Sequence, residues 1–153
     1  MTALRDDEQR QVIREDTERT LFVEAGAGSG KTKSLIDRVA TLVLERGVPL
    51  RQIAAVTFTE KAGAELRDRL REAFEAARRH SPAGEPLRAL ADDALDDLDS
   101  AAIGTLHSFA QRILTRHPIE AGLPPLVEVL DEVGSGIAFD ERWARMRTEL
   151  LDD

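Results

Sequence analysis

The chain has 153 residues, 42% hydrophobic and 33% charged, with a net charge of −8 and no cysteine. That length holds one domain with a real core, and the missing cysteines exclude disulfides and thiolate metal sites. No apolar run approaches a membrane span, and the acidic balance is not that of a free-standing nucleic-acid binder. Any contact with DNA would use a local strip or other parts of a larger protein. The start, Met1 to Asp16, is polar and has no apolar signal region, so a soluble, cytoplasmic protein is expected.

Asp6 to Glu15 reads as a short helix with Asp6 or Asp7 at its N-cap. Leu21-Phe22-Val23 opens a first strand, expected over 21–25. Ala25-Gly26-Ala27-Gly28-Ser29-Gly30-Lys31-Thr32 follows, and an amphipathic helix runs from Lys31 to about Arg46 with Leu35, Val39, Leu42 and Val43 on one side. Strand, glycine loop and helix are the setting of a phosphate-binding loop. Gly26, Gly28 and Gly30 let successive N–H groups turn toward phosphate oxygens. The helix N-terminus adds its positive end. Lys31 can reach the β- and γ-phosphates, and the Thr32 hydroxyl can ligate Mg²⁺. Ala25 stands where the strict pattern has glycine, a small departure because the inward amides come later. A flexible Gly/Ser linker would share the glycines but not the flanking strand and helix.

Gly47 and Pro49 stop this helix. Ile53 to Phe58 is a second strand, nearly all apolar, as in a parallel strand covered on both faces. A helix is expected from about Glu60 to Arg79, with Ala62, Leu66, Leu70, Phe74 and Ala77 as its stripe. His80 to Glu85 is a loop, and Pro86 to Leu98 holds another helix. The acids of Asp92 to Asp99 read as a solvated surface. Ala101 to Leu106 is a third strand, Ser108 to Arg116 a helix, and Leu123 to Leu130 a loop followed by an extended stretch. Gly134-Ser135-Gly136 reads as a flexible turn, and Asp140 to Leu150 as a last helix with Phe139, Trp143, Met146 and Leu150 on one stripe. Strand–helix alternation means an α/β fold with a parallel sheet. His80, His107 and His117 lack the spacing of a metal site.

Three further segments line up with the phosphate loop: Leu4-Arg5-Asp6-Asp7-Glu8-Gln9 upstream, Thr57-Phe58-Thr59-Glu60-Lys61-Ala62-Gly63 at the end of the second strand, and Ile103-Gly104-Thr105-Leu106-His107-Ser108-Phe109 at the end of the third. In order and spacing the four resemble the N-terminal half of the first motor domain of a UvrD/RecB-like superfamily 1 DNA helicase. The Leu-His-Ser-Phe wording, with Gly122-Leu-Pro-Pro and Val129-Leu-Asp-Glu after it, is more similar to the RecB/AddA branch than to UvrD itself.

The resemblance implies a RecA-like P-loop NTPase sheet, incomplete in this chain. Residues 1–131 would be the N-terminal part of the ATP-binding motor domain, and 132–153 the start of a truncated helical segment. It implies ATP and Mg²⁺ as cofactors and single-stranded DNA as partner. The whole protein would couple ATP hydrolysis to movement on DNA in repair and recombination, alongside other subunits of a helicase–nuclease complex, with no membrane association. Gln9 would read the adenine, as amide chemistry allows, and residues 25–33 would hold the phosphates, with Lys31 and Thr32 catalytic. Phe58 would stack on a base, and Thr59, Lys61, Thr105 and His107 would contact the DNA backbone, just past strand ends where open α/β sheets bind ligands.

The residues alone also allow plainer roles: an exposed glutamine at 9, a core phenylalanine at 58, a helix cap at Thr59, a half-buried histidine at 107. Lys33 stands where many UvrD-type members carry arginine; it keeps the charge but stacks differently. The family also needs a Walker B strand ending in Asp-Glu and arginine fingers from a second motor domain. Asp131-Glu132 mimics the first, but Glu128 would interrupt a strand buried on both faces. The fragment on its own is therefore expected to bind ATP–Mg²⁺ weakly at best and to hydrolyse it poorly. Two alternatives compete: a self-contained P-loop regulatory module without motor activity, and a small P-loop phosphotransferase, for which no lid arginines or acceptor site are visible.

Overall fold

A computed structural model describes residues 6–26, 28–124 and 130–151. The chain divides into two compact units, Met1–Arg112 and Ile113–Asp153.

The first unit opens with helix α1 (Asp6–Glu15), whose first turn carries Asp6, Asp7 and Glu8 and whose last carries Arg14. Both ends complement the helix dipole. Helix α2 (Lys31–Leu44) starts at Gly30 and closes where the Val48 N–H reaches back to the Leu42 carbonyl at 2.9 Å. After a 3₁₀ turn (Leu50–Gln52) come strand β1 (Ala54–Thr57), helix α3 (Glu60–His80), helix α4 (Pro86–Asp97), strand β2 (Ala102–Thr105) and helix α5 (Leu106–Arg116). The Thr59 Oγ1 accepts from the Ala62 N–H at 3.2 Å and caps α3. Arg78, Arg79 and His80 close its last turn, and Pro86 supplies a preset φ at the start of α4.

β1 and β2 pair in parallel, Ala54 opposite Ala102 through Thr57 opposite Thr105. A parallel pair needs a crossover, and α3 with α4 supplies it. The core gathers Ile36, Val39 and Val43 of α2, Leu66, Leu70 and Phe74 of α3, Leu98, and Ala55 and Ile103 of the strands. The α3 side chains repeat at i, i+4 and i+8, the centre of the stripe read from sequence; of its two ends, Ala62 is exposed and Ala77 half-buried.

Helix α3 approaches β2 closely because residue 63 is glycine. A Cβ there would lie 3.1 Å from the Gly104 Cα and 3.4 Å from the Thr57 Oγ1. Backbone cannot retreat as a side-chain tip can. Gly63→Val is expected to destabilise the chain by about 1–3 kcal/mol through overpacking, read as a lowered denaturation midpoint with an unchanged m-value.

Two strand expectations are corrected. Residues 21–25 form no strand. Among the described residues the only sheet is the β1–β2 pair, so the apolar run has no ladder to join, and Phe22 is 93% exposed. Nor is β1 covered on both faces. Ala55 is buried while Ala54 and Val56 are exposed, the alternation of a strand with one packed side.

The second unit holds the end of α5 and helix α6 (Glu132–Leu151). The expected turn at 134–136 lies inside α6, which begins eight residues before Asp140. The Asp131 Oδ1 accepts from the Gly134 N–H at 2.7 Å, and the Asp131 carbonyl accepts from the Ser135 N–H at 2.8 Å. Capping by Asp131 thus outweighs the low helix propensity of the two glycines. Phe139, Trp143, Met146 and Leu150 are all exposed. The extended stretch expected before Leu130 falls largely on 125–129, outside the described residues. So do Leu4-Arg5 and Ala27.

Candidate nucleotide and single-strand sites

The phosphate loop takes the backbone its glycines permit. Gly28 and Gly30 have φ of 76° and 83°, a region costly for any residue with a Cβ. The Ser29 hydroxyl donates to the Gly26 carbonyl at 2.8 Å. The Lys31 ammonium donates to the carbonyls of Ala25 at 2.7 Å and Gly26 at 2.5 Å. A cation therefore sits beside the loop where α2 begins, and the first N–H groups of a helix have no intrahelical acceptor. Such an arrangement suits an anion. Thr32 and Lys33 are exposed in the first turn.

Two arginines that sequence reading missed fasten helix α1, one to this loop and one to α2. Arg10 donates to the Ser29 carbonyl at 3.1 Å and to the Asp6 Oδ2 at 3.3 Å. Arg38 of α2 donates to the carbonyls of Ile13 at 2.6 Å and Asp16 at 2.7 Å, tying down the other end of α1. The hydrogen-bonded Arg19 guanidinium holds the Asp16 carboxyl below its ordinary value. Between α1, residues 19–26 and the first turns of α2 lies a cleft of about 590 Å³ that Gln9, Arg10 and Lys31 all line. That volume is typical of a ligand site. Gln9 and Lys31 thus share one cavity; Thr32 and Lys33 are not part of its lining.

A second cluster forms where β1 and β2 end side by side. Phe58 is 98% exposed, which removes the reading of it as a core residue. It follows Val56 on the unpacked side of β1. Lys61 and His107 are also exposed. The two threonines are used differently. The Thr59 hydroxyl caps α3. Thr105 is only 6% exposed; its hydroxyl donates to the Glu60 Oε1 at 2.9 Å and accepts from the Ser108 N–H at 3.2 Å, capping α5. Glu60 joins the two loops, and nothing in the spacing pointed to it.

Among the described residues no group of three or more His, Asp or Glu side chains is placed to hold a metal ion. Thr32 offers one oxygen, which fits Mg²⁺ held mainly by phosphates and water. Asp131 is in the second unit, and its carboxylate is engaged as the α6 cap.

A glycine loop opening a helix, beside a parallel strand pair joined by a helical crossover, is consistent with part of an α/β P-loop domain of the RecA-like kind, although among the described residues no strand leads into the loop. Residues 5–151 match the family described as UvrD/REP helicase N-terminal domain. The chain belongs to that family. It is 38% identical over 143 residues to an ATP-dependent helicase/nuclease subunit from Levilactobacillus brevis, covering 93% of this chain and 11% of the relative. It is also 38% identical over 128 residues to the protein of the same name from Anoxybacillus flavithermus, covering 82% and 10%. DNA helicase II of Haemophilus influenzae is 39% identical over 110 residues, covering 72% and 13%. The chain thus spans about a tenth of the length of these curated relatives.

Proposed function

We propose that residues 1–131 are the N-terminal part of an ATP-binding helicase motor domain and that 132–153 begin a following helical segment. The whole protein would be an ATP-dependent DNA helicase or translocase of repair and recombination, acting on single-stranded DNA, located in the cytoplasm and assembled with other subunits of a helicase–nuclease complex. The cleft shared by Gln9 and Lys31 carries the nucleotide part of this reading. An amide near the base and an ammonium at the phosphates suit the two ends of ATP.

In this reading Gln9 reads the adenine, the amides of residues 25–33 and Lys31 orient the phosphates, and Thr32 supplies one oxygen to Mg²⁺. The metal, when bound, neutralises charge on the phosphates. Phe58 stacks on a base, Lys61 and His107 meet the backbone, and Thr59 and Thr105 set the loops through their caps. A P-loop regulatory module would bind the same nucleotide but has only a weak use for Phe58 on an exposed strand end.

Arg10→Ala is expected to weaken ATP binding several-fold, because it removes the bond that fixes Ser29 relative to α1, about 1 kcal/mol for such a contact. Titration of ATP–Mg²⁺ into both proteins checks it.

Hydrogen exchange with ATP–Mg²⁺, and separately with a single-stranded oligonucleotide, tests the whole reading. Nucleotide should slow exchange at residues 28–34, and the oligonucleotide at 58–61. Nucleotide protection without oligonucleotide protection would favour the regulatory module. No protection by nucleotide would sink the site.

A further inference from the structure

We infer that Glu60 is a positioning residue that locks the two strand-end loops into a single platform. This rests on the single-strand reading of those loops given above. Glu60 is the first residue of α3 and Thr105 the last of β2, 45 positions apart. Their hydrogen bond sends the Thr105 hydroxyl proton to the carboxylate and leaves the hydroxyl oxygen to accept from the Ser108 N–H. One carboxylate thereby orients the hydroxyl that caps α5, the helix that carries His107, and competes for its proton with the Ser108 Oγ at 3.3 Å.

The surroundings leave little slack. The Ser108 Oγ donates to the Thr105 carbonyl at 2.8 Å. The Thr57 Oγ1 lies 3.2 Å from the Gly104 carbonyl oxygen, and a Cβ on Gly104 would lie 2.7 Å from the Ser108 Oγ. Glu60 also suits the positive end of α3. As an ordinary helix-start acid, however, it would only repel DNA, since a carboxylate beside phosphates opposes binding. The two roles therefore predict opposite signs.

The test compares Glu60→Ala and Glu60→Gln in the full chain. Glutamine keeps an oxygen that can accept from Thr105 and loses the charge; alanine loses both. If Glu60 is the lock, E60A binds a fluorescent oligothymidylate several-fold more weakly than the parent, while E60Q binds as tightly or more tightly. Equal or tighter binding by E60A than by E60Q overturns the proposal. Hydrogen exchange without DNA gives an independent reading: amides 106–108 should exchange faster in E60A than in the parent or E60Q, with those of Leu66 to Phe74 unchanged. Equal exchange at 106–108 in all three overturns the lock as well. If the parent shows no single-strand binding, the platform reading fails, and the exchange comparison still decides whether Glu60 holds the loops.

Discussion

Lys31→Ala is expected to lower ATP affinity by roughly ten- to a hundredfold while leaving the fold intact. A hydrogen bond involving a charged group contributes about 1.5–3 kcal/mol, and each 1.4 kcal/mol is about a factor of ten. Part of the phosphate interaction is offset, because the ammonium already bonds the Ala25 and Gly26 carbonyls. The effect should therefore fall inside that range rather than above it. Lys31 is exposed, so its removal exposes no core and leaves no buried group unsatisfied. Calorimetric titration with ATP–Mg²⁺ beside thermal unfolding separates the two effects. Unchanged affinity would remove the phosphate loop from the site; equal losses of affinity and melting temperature would make Lys31 a structural residue.

Lys31→Arg distinguishes charge from shape. Arginine keeps the charge, but its broad planar fork does not fit where a compact ammonium meets two carbonyls 2.5 and 2.7 Å away. Most of the affinity should remain lost.

Local features were legible in the sequence. The α3 stripe gave Leu66, Leu70 and Phe74 as core, and Thr59 stood where a cap belongs. The glycines of the phosphate loop pointed to φ values that only glycine adopts cheaply. Each of these depends on neighbours within a few residues, where propensity and periodicity act. What failed depends on partners far along the chain. An apolar run at 21–25 carries strand propensity, but a strand exists only when another backbone takes up its hydrogen bonds. The bonds from Arg10 to Ser29, Arg38 to Ile13 and Thr105 to Glu60 join segments whose meeting is decided by packing. At Gly134 and Gly136, propensity suggested a turn, and the carboxylate of Asp131 reversed the outcome.

Phe58 and Phe74 show the same division in energetic form, and their alanine variants should behave oppositely. Phe74 is completely buried in the core and Phe58 is 98% exposed. Phe74→Ala removes packed surface and leaves a cavity, costing about 3–5 kcal/mol, enough to unfold much of a marginally stable domain. Phe58→Ala removes almost no packing and should leave the melting temperature unchanged within about 0.5 kcal/mol of stability. Its expected effect is on DNA. Stacking of one base on an aromatic ring contributes about 1–3 kcal/mol, so single-strand affinity should fall by roughly five- to a hundredfold. The loss should be similar for thymine and adenine oligonucleotides, because every base offers a π-face. Phe58→Trp should retain binding, since a larger ring system stacks at least as well. Fluorescence anisotropy with the three proteins, beside their unfolding curves, decides the matter. If Phe58→Ala binds single strands like the parent, the exposed ring is no stacking platform. If it instead loses stability on the scale of Phe74→Ala, the ring belongs to the packing of β1.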